Sequence, residues 1–210
     1  MSSDRGCLIA LEGIDGCGKS TQARILAGQL GALLTHEPGA TPLGQALRAL
    51  LLDPDRPAPA ARAEALLMAA DRAQHVDEVV RPALLAGRWV VTDRFSGSTL
   101  AYQGWGRGLA VEPLRRVVAW AAGDVAPDLS VLVDVDPAVA RRRLGGGRAD
   151  RLEAMGPGFH ERVREGFAAL AAEDPDRWAV VDGGGSEASV AAAVAAAVAA
   201  RLGSPQGAGG

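Results

Sequence analysis

Leu8-Ile9-Ala10-Leu11-Glu12 runs directly into Gly13-Ile14-Asp15-Gly16-Cys17-Gly18-Lys19-Ser20. The first five residues form a short apolar run that predicts a buried strand. The next eight fit G-x-x-x-x-G-K-[ST], and Lys19–Leu30 behind them carries Ile25, Leu26 and Leu30 at helical spacing. Strand, loop and helix therefore fall in the order that a phosphate-binding loop requires. The glycines let backbone N–H groups turn inward around phosphate oxygens. The helix offers its unpaired N–H groups and the positive end of its dipole. Lys19 supplies a compact charge for the β- and γ-phosphates, and the Ser20 hydroxyl suits Mg²⁺. The motif predicts nucleoside triphosphate binding through Gly13, Asp15, Gly16, Cys17, Gly18, Lys19, Ser20 and Thr21.

Further strands are predicted at Leu33–Thr35, Trp89–Thr92, Leu129–Val133 and Trp178–Val181. The near-continuous apolar run at Leu129–Val133 suits a strand buried on both faces. Helical patterns lie at Leu43–Leu52, Ala60–Ala86, Glu112–Ala122, Ala138–Leu144, Pro157–Glu173 and Glu187–Leu202. Pro82 is expected to kink the long Ala60–Ala86 segment or to start a new turn in it. Gly104–Gly108 reads as a glycine-rich loop. Strands alternating with helices predict an α/β fold, a three-layer α/β/α arrangement around a mainly parallel five-stranded sheet. Residues 1–202 read as one domain, with 203–210 as a disordered tail. A ligand crevice is expected at the carboxyl ends of the strands, where Glu12, Asp93 and Asp134 fall.

A chain of 210 residues suits one globular domain, and its 48% apolar content excludes a wholly disordered protein. The net charge of −3 gives no basic field for duplex nucleic acid. Two cysteines, Cys7 and Cys17, do not make a secreted disulfide framework. The start leads straight into an apolar strand without a signal-peptide core, and the alanine-rich Ser189–Ala200 is too short to span a bilayer. The expectation is a cytoplasmic protein without a membrane or nucleic-acid partner.

A phosphate loop alone leaves three classes open: a kinase of a small acceptor, a hydrolytic switch or motor, and a binding module without turnover. No N/T-K-x-D base-reading motif of a GTP switch is present, and the chain is too short for a large motor. Arg48, Asp71-Arg72 and Asp93-Arg94 lie on the next helices and at the end of the third strand. An arginine fork matches a monoester phosphate. Arginines gathered near a phosphate loop favour a second anion site, and two anion sites imply phosphoryl transfer between them.

From Leu8 to Val181 the chain resembles the bacterial thymidylate kinases of the nucleoside monophosphate kinase group. The resemblance rests on LEGIDGCGKST at Leu11–Thr21, EPGATPLGQALRALLL at Glu37–Leu52 and AEALLMAADRAQH at Ala63–His75. It continues through VVTDRFSGSTLAYQG at Val90–Gly104, PDLSVLVDVDP at Pro127–Pro137 and DRLE at Asp150–Glu153. The resemblance implies transfer of a phosphoryl group from ATP to dTMP with Mg²⁺, in a homodimer that serves dTTP supply. Kinases of another nucleoside monophosphate, such as dUMP, and a non-catalytic nucleotide-binding regulator are the alternatives.

The resemblance implies residue roles as well. Asp15 matches the family's acidic residue near the acceptor phosphate, sugar and metal. Arg48 and Arg94 match the acceptor phosphate ligands, and Arg72 the base-reading arginine, beside Glu37. Ser98 and Thr99 match positions near the base, Pro38 the residue near the thymine methyl, and Tyr102 the residue under the deoxyribose. Metal-holding positions are Ser20, Asp93, Asp15 and Glu153. A short mobile lid is implied at 145–154, with Arg148 and Arg151 as catalytic arginines beside Lys19 and Arg94. Arg142 matches a position packed on adenine.

The chain departs from the family at several places. Met68 stands where an acceptor-stacking phenylalanine is usual, and Ala40 replaces a glycine. Trp105 interrupts a glycine run and is open to three readings: a surface aromatic, a dimer contact or a lid over the acceptor. Cys17, at a helix N-terminus and near Lys19, is open to two readings: a small residue where the family often has alanine, or an oxidant-sensitive thiol whose pKa that place lowers.

Overall fold

A computed structural model describes residues 5–145 and 149–203. The strands are β1 (Leu8–Glu12), β2 (Leu33–His36), β3 (Val90–Asp93), β4 (Leu129–Asp134) and β5 (Trp178–Asp182). They form one sheet in the order β2-β3-β1-β4-β5, and every pairing is parallel. The three inner strands are buried almost throughout, whereas the edge strands β2 and β5 are buried at few positions. That difference explains why Leu129–Val133 reads so clearly in sequence and Leu33–Thr35 so weakly.

The helices are α1 (Lys19–Leu30), α2 (Pro42–Leu52), α3 (Ala61–His75), α4 (Arg81–Leu85), α5 (Ser96–Thr99), α6 (Val111–Ala122), α7 (Pro137–Leu144), α8 (Pro157–Glu173) and α9 (Glu187–Leu202). Thr41 caps α2, its hydroxyl accepting the Gly44 N–H at 3.0 Å, with Pro42 at the first turn where its missing N–H costs nothing. Period-two alternation sends Leu8 and Ala10 to the sheet face that packs with Val76, Val80 and Leu84. Ile9 and Leu11 join the cluster that holds Leu26 of α1 and Val194 of α9.

Two expectations change. The long Ala60–Ala86 segment is helical from Ala61 to Leu85, but Val76–Val80 winds as a π-helical turn between α3 and α4. Pro82 sits in the first turn of α4, where a proline starts a turn without breaking a ladder. Gly104–Gly108 is not a loop throughout, since Leu100–Gly106 is π-helical. Its glycines serve close packing. A Cβ on Gly106 would stand 2.7 Å from the Phe159 ring, and one on Gly166 of α8 would stand 2.8 Å from Trp105. Trp105 is half-buried, packed against α8 at Gly166.

Candidate active site

The carboxyl ends of β1 and β3 carry the phosphate loop and the Asp93-Arg94 turn side by side. Gly13, Gly16 and Gly18 all take positive φ. At Gly16 the requirement is also spatial, because a Cβ would meet the Ala140 carbonyl oxygen at 2.3 Å. Lys19 is buried, and its Nζ donates to the Ile14 carbonyl at 3.2 Å and stands 3.5 Å from Asp15. Ser20 is exposed at the mouth of the loop. Burial pushes the Cys17 thiol above its ordinary pKa and outweighs the nearby Lys19, so a lowered thiol pKa is not found.

Arg94 is the one non-glycine residue of positive φ among those described, at 74°. Its N–H donates to the Leu11 carbonyl at 2.9 Å. Its guanidinium donates to the Gly13 carbonyl at 3.0 Å, Ser98 Oγ at 2.9 Å and Tyr102 Oη at 3.1 Å, and also to Asp15. Tyr102 donates to Asp15 at 2.7 Å. Burial alone would raise Asp15, but Arg94 and Lys19 overcome it and hold the carboxyl well below the usual range. Behind this turn, Glu12 is fully buried and accepts from Phe95 N–H, Ser98 N–H and Ser98 Oγ–H at 3.1, 3.2 and 2.6 Å. Burial pushes it up to about 7 despite those bonds. Glu12 thus closes the turn that holds Arg94 in its strained conformation.

A cleft opens beside Asp15, and its walls include every residue that the sequence placed at the acceptor: Asp15, Glu37, Pro38, Arg48, Met68, Arg72, Arg94, Ser98, Thr99 and Tyr102. These come from five separate stretches of chain. Arg72 donates to Glu37 at 3.0 Å, to the Phe95 carbonyl and to Thr99 Oγ1, both at 3.0 Å. Its Nη1 is buried without a partner. Glu37 is fixed in turn by His75 Nδ1 at 2.9 Å, and His75 Nε2 meets Thr35 Oγ1 at 2.7 Å. Arg48 Nη1 donates to the Pro38 carbonyl at 2.9 Å, beyond the cis Glu37-Pro38 bond.

Sequence reasoning gave no role to Leu52, Gln103, Asp150 and Leu152, and named Asp71 only beside Arg72; all five also line the cleft. Burial and the neighbouring Glu37 push Asp71 up to about 6. The available signal was a stripe on α3. Glu64, Met68, Asp71, Arg72 and His75 recur at helical spacing on one face, and four of the five are buried.

Other sequence-predicted residues lie elsewhere. Arg148 falls outside the described residues, as do the lid residues Gly146 and Gly147 and the tail 204–210. Arg151 is buried and turned to the Leu51 carbonyl, not to the phosphate loop. Arg142 is exposed on α7, whereas the cavity beside Gly18 and Thr21 is lined by Arg143 and Gly185. Arg143 Nη1 donates to the Cys17 carbonyl at 3.3 Å. Asp134, expected on the functional edge, is held by Arg164 in two bonds of 2.7 Å. Glu153 faces a separate cavity together with Asp15, and its carboxylate accepts the Asp150 N–H at 3.0 Å.

For a metal, the relevant finding is at Asp93, whose Oδ1 is buried without a partner at the end of β3. Among the described residues no group of three His, Cys, Asp or Glu side chains forms a metal cage. The unpartnered Asp93 oxygen at the strand end is a donor of the kind Mg²⁺ takes, since that ion binds through one or two protein groups together with phosphate oxygens and water. Asp15 is already occupied by Arg94, Lys19 and Tyr102.

A parallel sheet, a glycine loop that opens a helix and an arginine-lined cleft beside it define a P-loop α/β protein of the nucleotide kinase kind. The thymidylate kinase family profile matches residues 11–194, and the chain belongs to that family. It is 50% identical to the thymidylate kinase of Synechococcus sp. (strain CC9902) over 84% of this chain and 89% of that one. It is 48% identical to the thymidylate kinase of Cereibacter sphaeroides (strain ATCC 17029 / ATH 2.4.9), over 90% and 92%. The crystal structure of thymidylate kinase from Ehrlichia chaffeensis superimposes with a TM-score of 0.76 at 30% identity, covering 92% of this chain and 99% of that one.

Proposed function

We propose that this chain transfers the γ-phosphoryl group of ATP to dTMP, giving ADP and dTDP for dTTP supply. The observation that carries the reading is the cleft beside the phosphate loop, where Arg48 and Arg94 stand ready for a monoester phosphate and the unpartnered Arg72 Nη1 for a pyrimidine oxygen. A buried N–H without a partner is costly unless a ligand completes it.

In this reading the phosphate loop and Lys19 hold the β- and γ-phosphates, with Thr21 and the glycines contributing along the loop. The acceptor phosphate lies against Arg48 and Arg94, and Asp15 orients Arg94 between the two sites. The attacking acceptor oxygen is already anionic, so no general base is needed, and positioning with charge neutralisation carries the rate. Ser98 and Thr99 flank the base with Met68 on its face, Pro38 lies beside the 5-methyl group, and Tyr102 lies under the deoxyribose, where a ribose 2′-OH would collide. Mg²⁺ bound with ATP supplies further charge neutralisation, and Ser20 and Asp93 are the residues that would hold it. Arg148 remains the lid candidate for the transferring group, and Arg142 or Arg143 for the adenine.

ADP formation from Mg-ATP with dTMP, dUMP, UMP, dCMP and AMP in parallel, with a no-acceptor control, tests the reading. Strong dTMP preference is expected. Turnover with a different acceptor would overturn the acceptor assignment, and phosphate release without acceptor would point to a hydrolase.

A homodimer is part of the proposal. Leu43 and Leu50 of α2, Leu66 of α3 and Trp120 of α6 are exposed apolar side chains, and Leu66 shares an apolar groove with Pro113 and Val117 of α6. Light scattering that gives the monomer mass would remove it. Among the described residues no helix is long and apolar enough to cross a membrane. A cytoplasmic site is proposed on the family's role in nucleotide supply.

A further inference from the structure

The turn Asp150–Glu153 sends its side chains to three places. Asp150 and Leu152 line the acceptor cleft, and Glu153 lines the cavity shared with Asp15. Arg151 lines neither. Its backbone N–H donates to the Leu52 carbonyl at 3.1 Å, and its guanidinium donates to the Leu51 carbonyl, both at the end of α2. Its Nη2 stands 3.9 Å from Glu64 Oε2.

Glu64 is fully buried in the first turn of α3. It accepts from Gln103 Nε2 at 3.0 Å and from Arg107 Nε and Nη2 at 3.1 and 2.8 Å. Arg107 lies over the Phe159 ring at 5.5 Å and reaches Met155 Sδ at 3.6 Å. One carboxylate therefore gathers two arginines from behind the cleft. The junction joins the three elements that carry much of its wall: α2 with Arg48 and Leu52, α3 with Met68 and Arg72, and the turn with Asp150 and Leu152.

We infer that Arg151 is a positioning residue that latches the Asp150–Glu153 turn onto Glu64 and the end of α2, and so sets the wall of the acceptor cleft. The resemblance would instead place Arg151 on the transferring phosphoryl group. The latch rests on the reading of the cleft as the dTMP site. Two points support it over a phosphoryl contact. The neighbours Asp150 and Leu152 already face the cleft from the opposite side of the turn. Moreover, the Arg151 guanidinium is itself buried, with Nη2 on the Leu51 carbonyl and 3.9 Å from Glu64 Oε2, away from the phosphate loop.

Steady-state kinetics of Arg151→Met, Arg151→Lys, Glu64→Gln and the double variant Glu64→Gln/Arg151→Met separate the two roles. A latch predicts an acceptor KM raised about 10-fold or more in Arg151→Met, with kcat and the ATP KM within about threefold. Glu64→Gln should reproduce the pattern, and the double variant should be no worse than the worse single. Arg151→Lys keeps the charge but not the fork, and should also raise the acceptor KM. A kcat loss of about 10³-fold in Arg151→Met at unchanged acceptor KM would mean a phosphoryl contact and overturn the latch. Full additivity in the double variant would overturn it as well. If Glu64→Gln fails to fold, the two Arg151 variants decide by the same split. Wild-type turnover in the same assay keeps the two readings apart. No dTMP turnover in the wild type fails the acceptor reading, whereas normal wild-type turnover with unchanged acceptor KM in the Arg151 variants fails the latch.

Discussion

The phosphate loop and the acceptor cleft meet at Asp15, yet they are built in opposite ways. The loop is one contiguous stretch, Gly13–Ser20, whose ligands are chiefly backbone N–H groups held by positive-φ glycines. The cleft is made of side chains from stretches as far apart as Asp15 and Leu152, and two of its three arginines, Arg72 and Arg94, are fixed by the carboxylates of Glu37 and Asp15. Backbone recognition needs little support beyond the strand before it and the helix after it. Side-chain recognition needs a second set of residues to hold the first. Glu12 behind Arg94, Glu37 and His75 behind Arg72, and Glu64 behind Gln103 form that second set.

The contrast can be broken at several points. Lys19→Ala removes the one positively charged side chain that the loop itself contributes, and kcat should fall about 10³-fold while the acceptor KM changes little. A loss below tenfold in steady-state kinetics would mean that backbone N–H groups alone carry the donor side.

Glu12 tests the acceptor side's dependence on buried support. Its carboxyl stands at about 7 when folded, against an ordinary 4.5. The folded state therefore binds the proton more tightly than the unfolded chain, so stability is greatest at low pH and falls as pH rises from 4.5 through 7. The full contribution is about 3 kcal/mol. Asp71, pushed up to about 6, adds in the same direction, while Asp15, held low, contributes stability above its ordinary 3.8 that is lost only in acid. Urea unfolding at pH 5.5 and 7.5 should show the decline in the wild type, and Glu12→Gln should flatten it. An equal slope in both would contradict the assignment to Glu12.

Gly16→Ala places a side chain at positive φ against the Ala140 carbonyl and should cost about 2 kcal/mol, with a raised ATP KM and an unchanged acceptor KM. A matching rise in acceptor KM would show that the two sites share more than Asp15. The smallest effect is expected at Met68, a flexible thioether on the cleft wall. Met68→Phe should lower the dTMP KM about threefold and sharpen preference over dUMP, from the added ring contact. An unchanged KM and base preference would remove Met68 from the base face.

How much was legible in advance follows the same division. The sheet, the loop and the helix order could be read because apolar runs and glycine spacing are local signals. Two local signals misled. Gly104 and Gly106 read as loop punctuation but lie in a π-helical turn, where the missing Cβ atoms make room for Val111 and Leu114 of α6 and for Phe159 and Val163 of α8. The helix end beside Cys17 pointed to a lowered thiol pKa, alongside the reading of a small residue there, but burial dominates its environment. The resemblance brought ten cleft residues to attention, but no sequence feature separated the side chains that face the cleft from those that hold them. Arg151 and Asp134 both sit beside motif residues, yet each is claimed by a partner distant in the chain, Glu64 or Arg164.

By itself the sequence determined the parallel α/β order and the phosphate loop, since strand burial, glycine conformation and helix starts are set within a few residues. Only the tertiary structure decided which carboxylates are buried, which arginines they hold and which N–H groups stay free for a ligand. Those outcomes depend on desolvation and on partners dozens of residues away, such as Glu64 with Arg107 and Glu12 with Ser98.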